Sequence, residues 1–261
     1  ANAVVPTQEE ALSELHHVID EVMAIQQIAG GAPGDTATSS PMLADALQGP
    51  EKQQYWESMV KEHRQCYPGP EDPDRVWDLV TRTNMEAEGA KALPSGWRLV
   101  KKSVDTGDGR TTHDKHKGRI TAGGHRQKHG RDYDETWAPV VSFSILRLLI
   151  AFAVTHGYDI TQMDFSGAFL NALLPEHLQV YMEQPWGFKQ YGPNGEEMVC
   201  KLRRALYGLK QSGRLWYQTL KTYMQSQGFQ PMDSEQCVFI RHNGSKWQVV
   251  MLYVDDLLTF S

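Results

Sequence analysis

Residues 247–261 place the tightest constraint on the fold. An apolar run, Val249-Val250-Met251-Leu252-Tyr253-Val254, stops at two adjacent acids, Asp255-Asp256, and a second run, Leu257-Leu258-Thr259-Phe260, follows at once. Residues of these types favour strands, and a short polar break between two such runs reads as a β-hairpin. The break lacks the Gly or Asn that a tight hairpin prefers. Two like charges side by side between buried strands are destabilising unless something positive lies against them. A divalent cation meets that need. An ordinary surface hairpin with acidic tips is the alternative, and these residues alone leave both open.

The 261 residues allow one large domain or two small ones. A hydrophobic content of 40% with 22% charged residues suits a globular protein with a sizeable core. No apolar run reaches the roughly 18 residues of a membrane span, and no basic-then-apolar leader is seen, so the expected setting is intracellular. Three widely spaced cysteines, Cys66, Cys200 and Cys237, fit free thiols better than a disulfide framework. The net charge of −6 argues against a polyanion partner until it is divided along the chain. Residues 98–131 hold ten Lys/Arg against three acids, and residues 200–221 hold six with none. Two basic blocks in an otherwise acidic chain suit a polyanion-binding cleft, and a solvated basic face is the plainer reading of either alone.

From the N-terminus, capping-box spacing at Thr7-Gln8-Glu9-Glu10 precedes a helical apolar period from Leu12 to Ile25, then a Gly/Ala/Ser/Thr-rich linker. A second helix is expected over Glu51–Gln65, with Trp56, Met59 and Val60 on one side. Residues 97–122 look like an antiparallel pair around Asp105-Thr106-Gly107-Asp108-Gly109. That turn contains the Asp-Thr-Gly of retroviral-type aspartic proteases, but charged flanks replace the apolar strands and small residues a shared protease site needs. His113, His116, His125 and His129 raise zinc, although structural zinc sites usually draw on thiolates. Ser144 is a candidate cap for an all-round apolar, hence buried, helix ended by Gly157. Residues 158–165 alternate as a strand, and Ser166-Gly167 opens a short helix from Ala168 to Leu174. Asp164 therefore sits at a strand end before a helix start, where it could hold a metal or simply cap. Residues 181–199 read as a loop, and Ser212–Gln227 as a helix before Gly228. Asn243-Gly244 marks a hairpin between Cys237-Val238-Phe239-Ile240 and Trp247-Gln248-Val249-Val250.

An acid at a strand end, a tandem acid at a hairpin and two basic blocks together resemble the palm of a nucleotide polymerase. The closest resemblance is to the reverse transcriptases of copia-type LTR retrotransposons. The strings that carry it are Gln162-Met163-Asp164 with Ala168-Phe169-Leu170-Asn171, then Leu206-Tyr207-Gly208-Leu209-Lys210-Gln211, then Leu252-Tyr253-Val254-Asp255-Asp256-Leu257. Trp137-Ala138-Pro139-Val140 and Lys117-Gly118-Arg119 look like that family's fingers. The resemblance is weak from about residue 46 and strong from about 97.

It implies an α+β fold of fingers and palm over 97–261, after an N-terminal helix and linker (1–45) and a pre-fingers segment (46–96). It implies RNA-directed DNA synthesis, with an RNA template, a DNA primer and dNTPs. Two Mg²⁺ ions, or Mn²⁺ in their place, would be held by Asp164, Asp255 and Asp256 with the Phe165 carbonyl; without metal, one of the three carboxyls should have a raised pKa. Lys117, Arg119, Gly167, Ala168, Phe169 and Gln211 would meet the dNTP, with Phe169 as the steric gate against a ribose 2′-hydroxyl. Tyr253, Lys210 and Arg214 would meet primer and template. Gly123 stands where the family often has a basic residue, which leaves that phosphate contact to Arg126 or unfilled. The chain stops five residues after Asp256, so it is expected to be a piece of a pol polyprotein lacking thumb and RNase H, with integrase upstream. The implied compartments are the cytoplasm, within a virus-like particle, and the nucleus. A catalytically silent remnant that only binds nucleic acid is the second reading.

Overall fold

The computed structural model describes residues 38–105, 112–243 and 246–261. The expected N-terminal helix, most of the linker, the centre of the Asp-Thr-Gly turn and Gly244 lie outside them. None of the described helices is long and apolar enough to cross a membrane.

Strand β1 (Thr38–Ser39) and helix α1 (Leu43–Gln48) lead into α2 (Lys52–Cys66). The buried stripe of α2 is Tyr55, Met59, Glu62 and Cys66, at helical spacing, rather than Trp56, Met59 and Val60. After β2 (Trp77–Thr81) and α3 (Arg82–Ala87) comes the long hairpin of β3 (Ser95–Asp105) and β4 (Thr112–Ala122). Its register runs from Ser95↔Ala122 to Asp105↔Thr112, with β1 on the outer edge of β3. Helix α2 lies directly on β4 at Gly118, where a Cβ would come within 3.4 Å of the Met59 backbone.

Helix α4 (Phe143–His156) is capped by Ser142, whose Oγ accepts from Ile145 N–H, not by Ser144. Gly157 closes it in the left-handed conformation (φ 66°), as its missing Cβ allows. Only Leu146, Ile150 and Ala153 are buried, while Phe143 and Leu148 remain over half exposed. The expectation of an all-round buried helix fails because a single face meets the core. Strand β5 (Ile160–Asp164) follows, and the expected helix after it is a four-residue 3₁₀ turn, Ala168–Asn171. Such a turn has too few aligned peptides to supply the dipole that a phosphate-binding helix start requires.

Residues 181–199, expected to be a loop, contain β6 (Tyr181–Met182) and the start of β7 (Met198–Leu202). Strand β7 lies between β6 and β2, with Trp77↔Leu202 through Thr81↔Met198 in register. Charges stitch this sheet. Arg204 meets Asp74 at 2.5 Å, Arg203 meets Asp78 at 3.6 Å and Lys201 meets Glu88 at 3.6 Å. Half of the second basic block is thus paired with the acidic stretch 74–88 and does not form a polyanion cleft.

Helix α5 (Ser212–Ser226) and strands β8 (Gln230–Pro231), β9 (Val238–Asn243), β10 (Lys246–Tyr253) and β11 (Asp256–Phe260) complete the chain. The order β5-β11-β10-β9-β8 is antiparallel throughout. The buried faces of α4 and α5 share one core with this sheet, centred on Trp216, Leu220, Phe239, Met251, Leu258 and Phe260.

Candidate active site

The turn between β10 and β11 is tighter than two acids in a loop. Tyr253 and Asp256 are Cα partners, so Val254 and Asp255 form a two-residue connection and Asp256 already belongs to a strand. Strand β11 also pairs with β5, which sets Asp256 directly opposite Asp164. Cross-strand partners share a face of the sheet, so Tyr253, Asp256 and Asp164 form one row across three strands. Directly opposed Cα atoms in antiparallel sheets are about 4.5–5.5 Å apart. Two acids 92 positions apart in sequence thereby become neighbours.

Val254 is the one non-glycine residue with positive φ (56°) among the described residues. A β-branched side chain there costs about 1–3 kcal/mol, at the first position of a turn type that usually takes Gly. Both turn carbonyls are bonded. The Phe165 amide donates to Asp255 O at 3.0 Å, and the Trp216 indole donates to Val254 O at 2.6 Å. The Phe165 ring meets the Trp216 ring edge-on at 5.0 Å.

Burial, then the charges of Asp255 and Asp164, push the Asp256 carboxyl above the usual carboxylate range, against the opposing bond from Gln162 Nε2 at 3.4 Å. Burial outweighs the neighbouring acids in that rise, and Asp164 contributes least. The donor types, carboxylates plus nearby backbone carbonyls, are the hard oxygens that Mg²⁺ takes. Among the described residues, no three His, Cys, Asp or Glu side chains are drawn together closely enough to enclose a metal ion as they stand. The backbone therefore sets two carboxylates side by side and a third on the adjoining turn, and the side chains do not yet converge.

Facing these acids is a basic strand face. The β3–β4 register places Lys115, Lys117 and Arg119 on one side of β4, with Lys102 opposite Lys115 and Arg98 opposite Arg119. Like charges directly opposed on a sheet are unfavourable, so this face is suited to an anion. The Lys117 ammonium is held below the ordinary lysine value by desolvation and by Arg119 and Lys115; Glu62 and Asp164 pull the other way. The Arg119 guanidinium lies 4.7 Å over the Tyr207 ring, and Tyr207 meets the Phe169 ring edge-on at 5.0 Å. Burial raises the Tyr207 phenol, Arg119 opposes the shift, and Asp255, Glu62 and Asp164 add to it. Cation, aromatic wall and acids therefore share one neighbourhood.

Close backbone contact holds this wall. Ala122 N–H donates to Tyr207 O at 2.8 Å, and a Cβ on Gly124 would fall 1.9 Å from Gly208 O. Gly208 has φ 93°, and its own Cβ would fall 2.2 Å from Ala122 O. Gly123 has no room for the family's basic side chain, because its Cβ would sit 2.4 Å from Pro94 Cγ. Arg126 is exposed beside it on the short turn Gly124–Arg126.

Three expected site residues make contacts within the chain. Gln211 is 2% exposed; its Oε1 accepts from Gln127 at 2.9 Å and its Nε2 donates to Asp132 O at 3.0 Å. Both ends of its amide are bonded, which fastens residues 127–132. Lys210 lies 4.8 Å over the Tyr133 ring, and Arg214 pairs with Glu135 and donates to Trp137 O. Both brace the 133–137 stretch. Tyr207, Trp216 and Glu62 were missed. An acid on the apolar stripe of α2 was a readable signal for Glu62; nothing local links Trp216 to Val254 or Tyr207 to Arg119.

A sequence model of the family described as reverse transcriptase (RNA-dependent DNA polymerase) matches residues 74–261. This chain belongs to the reverse transcriptase family. Among its relatives is the retrovirus-related Pol polyprotein from transposon TNT 1-94 of Nicotiana tabacum, 34% identical over 83% of this chain and 15% of the relative. The Pol polyprotein from transposon RE1 of Arabidopsis thaliana is 36% identical over 71% of this chain and 12% of its own length. The truncated transposon Ty1-A Gag-Pol polyprotein of Saccharomyces cerevisiae is 31% identical over 81% of this chain and 16% of its own length. The reverse transcriptase is thus of the copia type, and the chain spans about 12–16% of these relatives' lengths.

Proposed function

We propose that this reverse transcriptase chain supplies the fingers and palm of an RNA-directed DNA polymerase that adds dNTPs to a DNA primer on an RNA template. The fingers and palm span 97–261, 46–96 leads into the fingers, and 1–45 is an N-terminal extension. The observation that carries the reading is the register Asp256↔Asp164, with Asp255 on the adjoining strained turn. Asp164, Asp255 and Asp256, with the Phe165 carbonyl, would hold two Mg²⁺ ions, the side chains turning inward around them. When bound, the ions activate the primer hydroxyl and neutralise the triphosphate. Mn²⁺ would serve in their place.

The chain's own groups bind and sort the substrates. Lys117 and Arg119 take the triphosphate, Phe169 excludes a ribose 2′-hydroxyl, and Tyr207 keeps Arg119 and the Phe169 ring in place. Gly167 and Ala168 would meet the incoming nucleotide through their backbone, since the Ala168 side chain is buried in the core. Tyr253, in the same row as Asp256, flanks the primer end. Gln211, Lys210 and Arg214 shape the pocket from behind. Integrase upstream and RNase H downstream in one polyprotein would complete the element's replication machinery, working in a cytoplasmic particle and then the nucleus.

The test is primer extension on an RNA template, comparing the parent with Asp255→Asn. The expected result is loss of extension by at least a hundredfold in both Mg²⁺ and Mn²⁺. Equal rates would refute the role of Asp255. Salt-dependent binding by the parent, without incorporation in either metal, would point to a silent nucleic-acid binder.

A further inference from the structure

The Val254–Asp255 turn holds an unfavourable backbone conformation without help from its own side chains. Val254 is 39% exposed, so packing of its isopropyl group does not impose φ 56°. A β-branched residue in that region persists only where its surroundings over-determine it. Three attachments do so. One is the strand pair Tyr253↔Asp256, one is the bond from Phe165 N–H to Asp255 O, and one is the bond from the Trp216 indole N–H to Val254 O.

The first is a strand pairing and the second a backbone bond just beyond the end of the β5–β11 ladder. The third comes from outside it, from the first turns of α5, and it is the shortest at 2.6 Å. Trp216 is 4% exposed, and Val254 O is the partner its part-buried indole N–H would lose. The same side chain packs edge-on against Phe165, the residue after Asp164. One buried tryptophan therefore touches both segments that carry the acids.

We propose that Trp216 is a positioning residue for the carboxylate site: its indole N–H, bonded to Val254 O, holds the turn so that Asp255 is presented beside Asp164. Building on the polymerase reading above, Trp216 acts through the turn and touches no substrate. Its donor is specific to indole. Trp216→Phe keeps most of the buried ring and removes the bond. Glycine at 254 adopts positive φ without strain, so Val254→Gly frees the turn from its need for the indole.

The experiment measures Mn²⁺ binding by electron paramagnetic resonance, and steady-state primer extension, for the parent, Trp216→Phe and Trp216→Phe/Val254→Gly. Thermal melts show that each is folded. The expected result for Trp216→Phe is Mn²⁺ affinity about tenfold weaker and kcat at least tenfold lower, with KM for dNTP within about twofold. The added Val254→Gly should restore most of the Mn²⁺ affinity. A folded Trp216→Phe with parental Mn²⁺ affinity overturns the positioning role while the polymerase reading stands. Loss of affinity that Val254→Gly leaves unrepaired also overturns it, since the indole would then act by bulk packing. A parent that neither binds Mn²⁺ nor extends primers overturns the underlying reading and this proposal together.

Discussion

Replacing Asp164 with Asn should make the metal-free protein more stable, although it removes a candidate catalytic group. Asp164 faces Asp256 across the β5–β11 ladder, and Lys117, which feels the Asp164 charge, belongs to the separate β3–β4 hairpin. At a carboxylate separation of about 6 Å and an effective dielectric of about 20, the repulsion is about 3 kcal/mol. Asp164 is exposed and Asp256 partly so, and solvent and salt reduce this to about 1 kcal/mol. For a domain of this size, 1 kcal/mol corresponds to a rise in Tm of about 2–4 °C.

The pH dependence has a definite sign. The Asp256 carboxyl has a raised folded pKa, so the folded state binds protons more readily than the unfolded chain. Its penalty is absent at acid pH, sets in as pH rises from the unfolded value of about 3.9, and is complete above the folded pKa. The advantage of Asp164→Asn should therefore be full at pH 7.5 and fade towards pH 4. Added Mg²⁺ should reverse the ranking. The parent gains about 1.4 kcal/mol at ten times its Kd, and the variant gains little. The assay is thermal or urea denaturation in EDTA and in Mg²⁺ at the two pH values. An Asp164→Asn protein no more stable than the parent in EDTA at pH 7.5 would show that the opposed acids do not repel, and the site geometry would be wrong.

Three further outcomes are expected. Phe169→Ala should ease ribonucleotide incorporation by at least tenfold with dNTP use less affected, and the rNTP-to-dNTP ratio of kcat/KM checks it. Gln211→Leu takes an acceptor from Gln127 Nε2 and a donor from Asp132 O, leaving them only their mutual bond at 3.3 Å, so urea melts should show a loss of about 1 kcal/mol. Glu62 has its carboxyl raised by burial, against the Ile120 N–H, Arg119 and Lys117, so Glu62→Gln should raise Tm at pH 7.5. That gain should shrink as pH falls and be lost below the unfolded glutamate value of about 4.3.

Parts of the fold governed by local pattern were legible in the sequence. The alternation at 158–165, the Gly157 and Gly228 stops, the 97–122 pair and the final hairpin all appear close to where residues of those types favour them. The meeting of Asp164 with Asp256 was legible only by resemblance, because a register 92 residues apart has no local signature. Strands β2, β6 and β7 were invisible for the same reason; two of the three are five residues long, and their partners lie over 100 positions away or across a bend. The internal contacts of Gln211, Lys210 and Arg214 were not legible, because a polar side chain in a basic stretch reads identically whether it meets substrate or a neighbouring loop. Trp216 and Tyr207 act through contacts that only the folded chain creates.

The β2–β7 pairing bears on how this chain can be dissected. A version begun at residue 97, where the motifs first become strong, would remove the partner of Met198–Leu202 and leave a naked sheet edge. It would also strand the guanidinium of Arg204, whose carboxylate partner is Asp74, and uncover the floor that α2 gives to Gly118. The smallest unit able to fold is therefore set by a helix and a strand that carry no catalytic signature. Their work is to back the hairpin at Gly118 and to cover the edge of β7.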